Sequence, residues 1–264
     1  MSSTSVPAGL VDRLRAAGCV YAEDEAALLV QAASDDHHLD RLASERVAGA
    51  PLEQVLGWAE FCGLRILTAP GVFVPRRRTE VVVAAALDLL RPGDVVVDLG
   101  CGTGAIGAAL LATLPGLEVH AADLDPAAVA CARRNLPPHR VHEGDLFAAL
   151  PGELRGRVAL VAANAPYVPT AAIATMPPEA RDHEARVALD GGPDGLDVQR
   201  RVVAGVAGWL APRGHLLIET SVAQAPPTEA SMRAAGLVTT VRHDAVIDGT
   251  VAVGRAPGVT PAVV

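Results

Sequence analysis

The first part of the chain shows the apolar spacing of helices. From Val6 to about Ala50, apolar residues recur every three or four positions, as at Leu10, Leu14 and Ala17. That period places them along one face of a helix. Charged clusters interrupt these runs and mark the connections between helices. We therefore predict a small helical N-terminal domain over residues 1–55.

The spacing of apolar residues changes between Leu56 and Pro75. There the apolar positions are spaced for extended strands on both sides of Ala69-Pro70-Gly71. A proline followed by a glycine is typical of a tight turn. This pattern predicts a β-hairpin over residues 56–78, which links the helical domain to the rest of the chain.

Beyond Thr79, short β-branched runs alternate with helical stretches. The predicted strands are Val95–Leu99, Glu118–Asp123, Val158–Ala163 and His215–Thr220. The predicted helices are 79–90, Ala105–Leu114, Pro126–Asn135 and Leu196–Leu210. Such alternation is typical of an α/β domain built on a mostly parallel sheet. We predict this domain over residues 79–255, followed by a tail over 256–264.

Two further strand-like runs come at the end of this domain. Val238–His243 and Val246–Val253 lie close together in the sequence. Parallel strands need a long crossover connection, whereas antiparallel strands can be joined by a short turn. The two runs are therefore predicted to form a terminal antiparallel hairpin.

Composition narrows the functional classes. Half of the 264 residues are hydrophobic and aromatic residues make up only 3%, which predicts a core of small aliphatic side chains. The net charge of −8 gives no overall attraction to phosphate backbones, so autonomous nucleic-acid binding is disfavoured. The four cysteines lack metal-site spacing, and no apolar run has the length of a membrane span. We expect a reduced cytoplasmic protein without a metal.

The strongest motif follows the first strand of the α/β domain. After Asp98 and Leu99 the chain continues as Gly100-Cys101-Gly102-Thr103-Gly104 and then enters a predicted helix. Glycines let backbone N–H groups approach a ligand and adopt dihedral angles closed to other residues. A nucleotide-like ligand is therefore expected at this helix N-terminus, at the carboxyl edge of the sheet.

Two cofactors compete for this loop. Gly102–Gly107 matches the GxGxxG pattern of dinucleotide-binding proteins. Asp98, however, would repel a pyrophosphate and attract the positively charged methionine end of S-adenosylmethionine. The terminal antiparallel hairpin also belongs to the methyltransferase variant of the fold. A P-loop is excluded because the chain contains no lysine.

Acidic residues end the next two strands in the expected order. Asp123, followed by Leu124, can accept hydrogen bonds from both hydroxyls of a ribose. Farther along, Asp145 could accept a hydrogen bond from the exocyclic amine of adenine. Leu146 and Phe147 could line the pocket of the ring.

The motif most specific for a reaction type is Asn164-Ala165-Pro166-Tyr167, directly after an apolar strand. A planar NH₂ group offers two donors, which the side-chain oxygen of Asn164 and a neighbouring backbone carbonyl can accept. Pro166 stiffens the turn. Tyr167 can cover one face of an amide and stabilise the charge that develops as a methyl group moves.

These motifs resemble the HemK-like protein glutamine N5-methyltransferases, whose best-known members modify the glutamine of the GGQ motif in peptide release factors. The resemblance covers nearly the whole chain. The segments that carry it are Val74–Glu80, Asp98–Gly104, Asn164–Tyr167 and Ala188–Asp197. It implies a class I, Rossmann-like methyltransferase fold, with the helical N-terminal domain contacting a protein substrate.

The resemblance also implies S-adenosylmethionine as cofactor and a release factor as partner. The expected cofactor-binding residues are Asp98, Gly100, Cys101, Gly102, Thr103, Gly104, Asp123, Leu124, Asp145, Leu146, Phe147 and Asn164. The expected catalytic residues are Asn164, Pro166 and Tyr167, and the expected substrate-binding residues are Asn164, Ala165, Pro166, Tyr167 and Arg76. The implied reaction is a direct in-line methyl transfer to an amide nitrogen.

The chain departs from the family pattern at a few positions. Ala165 stands where the family usually has proline, and Arg77 and Arg78 stand where it has proline and glutamate. No general base is evident; the candidates are Glu184, Asp190 and Glu219, each of which can also have a structural role. Alternative functions are methylation of an amino group in nucleic acid, methylation of a small-molecule amide, and cofactor binding without catalysis.

Overall fold

The computed structural model describes residues 6–7 and 9–258. The predictions for the remaining residues at the start of the chain and in the tail lie outside this part. The helices of the N-terminal region are α1 Leu10–Ala16, α2 Ala22–Ala32, α3 Asp36–Val47 and α4 Leu52–Leu56. Leu14, Ala26 and Leu29 are completely buried between them, as the apolar spacing predicted, whereas Ala17, at the end of α1, is exposed. The domain boundaries themselves stay a prediction.

A β-hairpin follows α4, but its turn is not the predicted one. The antiparallel strands are β1 Trp58–Phe61 and β2 Leu64–Leu67, so the turn is Cys62-Gly63 rather than Ala69-Pro70-Gly71. Both turn residues have positive φ, 51° and 72°, as a two-residue hairpin turn requires. Phe61 packs into the main core, because alternate residues of a strand point to the same face.

The main domain has a seven-stranded sheet, which confirms the predicted fold class. Its strands are β3 Val95–Leu99, β4 Glu118–Asp123, β5 Val141–Glu143, β6 Val158–Ala163, β7 Leu210–Thr220, β8 Val238–Asp244 and β9 Gly249–Arg255. The strand order is β5-β4-β3-β6-β7-β9-β8, and only β9 runs antiparallel to its two neighbours. The predicted terminal hairpin is present as β8 and β9.

Helices cover both faces of the sheet. The helices of this domain are α5 Glu80–Leu87, α6 Ala105–Thr113, α7 Pro126–Asn135, α8 Pro178–His183, α9 Asp197–Gly205 and α10 Ala225–Ala234. The short helix α8 lies at the rim of a cavity in the segment between β6 and β7. The sequence did not predict α10, since its first turn contains two prolines; proline is tolerated there because the first N–H groups of a helix have no partner. Among the described residues, no helix is long and apolar enough to cross a membrane.

Three predicted boundaries near β7 and β9 are wrong. The helix predicted to reach Leu210 ends at Gly205, and β7 begins at Leu210 rather than His215. A shift in the pairing of β6 with β7 absorbs the turn-like residues between these positions, among which Arg213 has a φ of 65°. Similarly, β9 starts at Gly249, because Asp244 accepts the N–H of the residue two positions on and forms a turn.

Candidate active site

A cavity of about 460 Å³ lies at the carboxyl ends of the central parallel strands. Parallel strands that end at one edge bring residues from distant parts of the sequence together there. Most of the predicted site residues line this cavity. They are Arg76, Asp98, Gly100, Cys101, Gly102, Thr103, Asp123, Leu124, Asp145, Leu146, Asn164, Ala165, Pro166 and Tyr167.

Two residues predicted to bind the cofactor do not line the cavity. Phe147 is buried in the core, where its ring stacks on Trp209 with the ring centres 5.7 Å apart. Gly104 begins α6, and a Cβ atom at this position would lie only 2.8 Å from a methyl carbon of Leu136. The last glycine of the loop is therefore needed for close packing against the segment after α7, and Phe147 for packing under the sheet.

The first two glycines of the loop border the cavity itself. Gly100 and Gly102 have φ values of 69° and 55°, in the left-handed region that favours glycine. A Cβ atom at Gly100 would meet no atom within 4 Å, and one at Gly102 would meet only Phe73, at 4.0 Å. Side chains here would occupy the open space beside the loop, so glycine leaves that space free for a ligand.

Asp98 is enclosed at the end of β3, next to the glycine loop. Its Oδ2 accepts the backbone N–H of Gly107 at 3.0 Å. Burial raises the pKa of Asp98 to about 7; the hydrogen bond from Gly107 opposes this shift, and the carboxyl of Asp123 adds to it. A carboxyl group in this position gains stability from a cationic ligand.

Asp123, at the end of β4, helps to hold the loop. Its carboxylate accepts the N–H of Gly102 at 2.8 Å and that of Asp125 at 2.9 Å. Burial raises its pKa, while these backbone hydrogen bonds lower it. Asp125, rather than Asp123, caps α7, since its side chain accepts the N–H of Ala127. Asp123 thus stays available to a ligand in the cavity.

Asp145 and Leu146 form the wall on the side of β5. Asp145 makes an ion pair with Arg201 from α9 at 2.5 Å, a partner that the sequence analysis missed. Leu146 has a φ of 47°, which is uncommon for a residue with a branched side chain. Because Arg201 neutralises its carboxylate, Asp145 is less free to accept a hydrogen bond from adenine than the sequence suggested.

The turn after β6 carries Asn164 and Tyr167 into the cavity wall. The Nδ2 of Asn164 donates to the hydroxyl of Thr79 at 3.3 Å. The hydroxyl of Tyr167 donates to Glu219 Oε1 at 3.2 Å, and the guanidinium carbon of Arg78 lies 5.8 Å from the centre of its ring. Burial raises the pKa of Tyr167 far above its usual range, so the phenol stays protonated.

A glycine-rich loop fixes this turn from outside. A Cβ atom at Gly191 would lie 2.7 Å from the Pro166 carbonyl oxygen, and one at Gly195 only 2.3 Å from that of Tyr167. The same Tyr167 oxygen accepts a hydrogen bond from the Gln224 side chain at 2.9 Å. The loop can approach so closely only without side chains. This contact explains why the turn and the distant glycines occur together in one sequence.

Buried carboxyl groups flank the cavity. Glu184 Oε1 accepts from Arg76 at 2.6 Å and from the N–H of Val74 at 3.1 Å, while Glu219 lies 3.4 Å from Arg78. Burial raises the pKa of both glutamates, and the second carboxyl oxygen of each lacks a hydrogen-bond partner among the described residues. Arg76 is therefore held by Glu184, although it was predicted from the sequence only as a substrate contact.

Asp190, the third candidate base, has a structural position. Its carboxylate accepts from the hydroxyl of Thr170 at 2.6 Å and from the N–H of Gly192 at 3.1 Å. These hydrogen bonds lower its pKa. The group therefore binds a proton weakly and stabilises the glycine-rich loop.

The cavity fits S-adenosylmethionine. Gly100 and Gly102 leave open the space that side chains at these positions would fill. Asp98 can attract the cationic methionine part of the cofactor. Asp123 presents a carboxylate that can accept hydrogen bonds from a ribose. Comparisons with known proteins agree. Residues 63–181 match the family described as Methyltransferase small domain.

The fold is shared with solved methyltransferase structures. A methyltransferase from Pyrococcus furiosus superposes with a TM-score of 0.56 and 16% identity, over 75% of this chain and 90% of that protein. A 16S rRNA N2 G1207 methyltransferase of Thermus thermophilus, solved with AdoMet and guanosine, superposes with a TM-score of 0.54 and 20% identity, over 75% of this chain and 49% of that one. At this identity the likeness concerns the fold alone.

Relatives found by sequence are more similar to this chain than these structures are, and they show its family. The release factor glutamine methyltransferase of Geobacter sulfurreducens is 40% identical over 70% of this chain and 65% of its own length. The enzyme of Moorella thermoacetica is 41% identical over 72% of this chain and 69% of its own length. The enzyme of Bradyrhizobium diazoefficiens is 36% identical over 84% of this chain and 78% of its own length. The chain thus spans about two thirds or more of these proteins. It belongs to the family of release factor glutamine methyltransferases, which use S-adenosylmethionine.

Proposed function

We propose that this protein transfers a methyl group from S-adenosylmethionine to the side-chain amide nitrogen, N5, of a glutamine in a peptide release factor. The observation that carries the proposal is the position of Asn164. Its side chain lines the same cavity as the glycine loop, with the NH₂ group turned to Thr79. The oxygen of the same amide is then available to a substrate.

An amide substrate needs two acceptors in one plane. Asn164 Oδ1 can supply the first. The carbonyls of Pro166 and Tyr167 face the glycine-rich loop and Gln224, which leaves the Ala165 carbonyl as the second acceptor. Replacing the family's proline with Ala165 preserves this carbonyl, and burial of the alanine, 3% exposed, limits the freedom that the turn gains.

The chain's contribution to catalysis is positioning and polarisation. When bound, S-adenosylmethionine supplies a methyl group on a positively charged sulfur. When the two protein acceptors hydrogen-bond to the N–H groups of the substrate amide, they draw electron density from the N–H bonds towards the amide nitrogen. Tyr167, held by Glu219 and Arg78, keeps a polarisable ring at the wall of the site. Fixing a poor nucleophile in line with its electrophile accounts for most of the expected acceleration.

The helical N-terminal region is proposed as the part that contacts the protein substrate. It is tied to the rim of the cavity, since Arg46 of α3 pairs with Glu179 of α8 at 2.7 Å. Gln54 of α4 donates to the carbonyls of Val72 and His183, both at 3.3 Å. A protein bound to these helices would therefore lie next to the opening.

The proposal is tested by incubating the protein with labelled cofactor and a purified release factor. Mass spectrometry should find one added methyl on the glutamine of the GGQ motif, and a release factor in which alanine replaces that glutamine should stay unlabelled. Asn164→Ala should lower the rate by at least about a hundredfold, since it removes a preorganised polar group. The circular dichroism spectrum and the thermal unfolding midpoint of this variant should show that the fold is retained.

Two results would contradict the proposal. One is label in nucleic acid or in a small amide in place of the release factor. The other is Asn164→Ala retaining the rate of the unaltered protein, because the amide oxygen would then have no role in the transfer.

A further inference from the structure

The side-chain amide of Asn164 can be held in two orientations that differ by exchanging its oxygen and its NH₂ group. Only one of them presents an acceptor to the NH₂ group of a substrate. The choice depends on the neighbouring hydroxyl of Thr79, 3.3 Å from Asn164 Nδ2, because a hydroxyl can donate or accept. The hydroxyl of Thr79 has one proton. A group that accepts a hydrogen bond from it would leave the hydroxyl oxygen to accept from Asn164, and would therefore fix the orientation of the Asn164 amide.

That group is the carboxyl of Glu219, at the end of β7. Glu219 is 1% exposed, and the hydroxyl of Thr79 lies close enough to stabilise its charged form. Its Oε1 faces Tyr167 and Arg78, whereas its Oε2 accepts no hydrogen bond of normal geometry within the described residues. A buried oxygen without a donor is costly, and the Thr79 hydroxyl, which lies close enough to lower the pKa of Glu219, can supply one.

We propose that Glu219 is a positioning residue that acts through Thr79. The carboxylate accepts a hydrogen bond from the Thr79 hydroxyl, which keeps its proton; the hydroxyl oxygen then accepts from Asn164 Nδ2, and Asn164 Oδ1 is left facing the cavity. Through Oε1 the same carboxylate holds the hydroxyl of Tyr167. One buried group thus orients the residues on both sides of the amide site. The inference rests on the proposed function for its catalytic consequence, but the orientation itself is independent of the substrate.

Two substitutions at Thr79 separate positioning from packing. Thr79→Val keeps the volume and removes the hydroxyl, and it should lower kcat roughly tenfold to a hundredfold, the effect of a small displacement in an active site. Thr79→Ser keeps the hydroxyl and should retain kcat within about threefold. Affinity for the cofactor should stay unchanged in both. Thr250→Val is the matched control, since Thr250 is similarly buried and, in the part of the chain that the structure describes, its hydroxyl bonds to His243 alone.

Glu219→Gln completes a double-mutant cycle. The amide that replaces the carboxyl can donate to Thr79, which would turn the hydroxyl proton towards Asn164 and favour the wrong orientation. If both residues act through one chain, Thr79→Val combined with Glu219→Gln should lose no more kcat than the worse single variant. Losses that multiply would show separate roles and overturn the proposal.

A second measurement needs no substrate. The chain contains two asparagines, Asn135 and Asn164, so selective ¹⁵N-asparagine labelling gives two side-chain NH₂ pairs. Asn135 donates to the carbonyls of Leu67 and Thr103 and is an internal reference. Thr79→Val and Glu219→Gln should each shift the Asn164 pair and speed its hydrogen exchange, while the Asn135 pair stays in place.

The NMR measurement and the methyl-transfer assay test the positioning role and the proposed function separately. An Asn164 pair that is unchanged by Glu219→Gln would refute the positioning role, whatever the protein methylates. Shifted Asn164 signals without any transfer to a release factor would instead contradict the proposed function and leave the positioning role supported.

Discussion

Asp98 lies fully enclosed at the end of β3, and burial raises its pKa to about 7. Below that pH the carboxyl is protonated and neutral, so a cationic ligand gains no ionic attraction. Above it the group is ionised and attracts the methionine part of S-adenosylmethionine. Because a cation favours the ionised form, cofactor binding should release a proton near neutral pH.

Cofactor affinity is therefore expected to rise with pH. Between pH 6 and pH 7 the association constant should increase about fivefold, and it should level off by pH 8. Calorimetry at these three pH values, in buffers of different ionisation enthalpy, measures both the affinity and the released protons. Asp98→Asn should bind more weakly at pH 8 and lose the pH dependence. A wild-type affinity that is the same at pH 6 and pH 8 would contradict this role for Asp98.

At the scale of elements, the glycine-rich loop before α9 presses on the turn that carries Asn164. Gly191 does not have a positive φ, so an alanine there would be opposed by contact rather than by a left-handed backbone. Its Cβ atom would lie 2.5 Å from the Gly195 carbonyl oxygen and 2.7 Å from that of Pro166. Backbone atoms at these distances must move, and the turn after β6 would move with them.

Gly191→Ala should therefore lower kcat by about a hundredfold, since a displacement of about 1 Å at a catalytic group has an effect of this size. Gly152→Ala is the matched control, because Gly152 also has no positive φ and a Cβ atom there would meet nothing within 4 Å. Steady-state kinetics should show the loss in the first variant only. Equal activities would mean that the loop does not determine the position of Asn164.

The elements differ in how well the sequence predicted them. The bounds of β3, β4 and β6 were predicted correctly, because these strands are short apolar runs that end in glycine, aspartate or asparagine. The hairpin turn at Cys62-Gly63 and the helix α10 were not. Pro70 favoured a turn at Ala69-Pro70-Gly71, whereas the strands meet at Cys62-Gly63. No element was predicted at α10, whose first turn holds prolines where no N–H donor is needed. Local propensity alone cannot separate a loop from the first turn of a helix.

At the scale of the molecule, Arg46 joins the helical region to the α/β domain. Its guanidinium pairs with Glu25 at 2.7 Å and with Glu179 at 2.7 Å, and only 9% of its side chain is exposed. Arg46 also donates to the carbonyl of Ala50. Removing the cation would leave the carboxylate of Glu25 buried without a partner, which is far more costly than loss of an exposed ion pair.

Arg46→Met should lower the free energy of unfolding by about 3 kcal/mol, as expected when one partner of a buried pair is lost. Arg13→Met, which breaks an exposed pair with Asp40, should cost less than about 1 kcal/mol. Urea denaturation followed by circular dichroism measures both values. If the two variants are equally stable, the burial of Arg46 has no energetic consequence.

The sequence alone determined the sheet with its terminal hairpin, the glycine loop, Asp123 and the turn at Asn164. Each of these depends on residues that are adjacent in the chain, where apolar period and turn chemistry act directly. The tertiary structure decided which groups surround them. Thr79 and Asn164 are 85 residues apart, Tyr167 and Glu219 are 52 apart, and Arg76 and Glu184 are 108 apart.

Burial was also decided by the tertiary structure. Phe147 lies in the core and Gly104 in a packing contact, although their positions in the motifs suggested the cofactor site. The raised pKa of Asp98 and the oxygen of Glu219 that has no partner in the described ranges likewise result from exclusion of water by several elements at once. Desolvation depends on everything that packs around a group, so it is a property of the folded chain that the order of residues does not express locally.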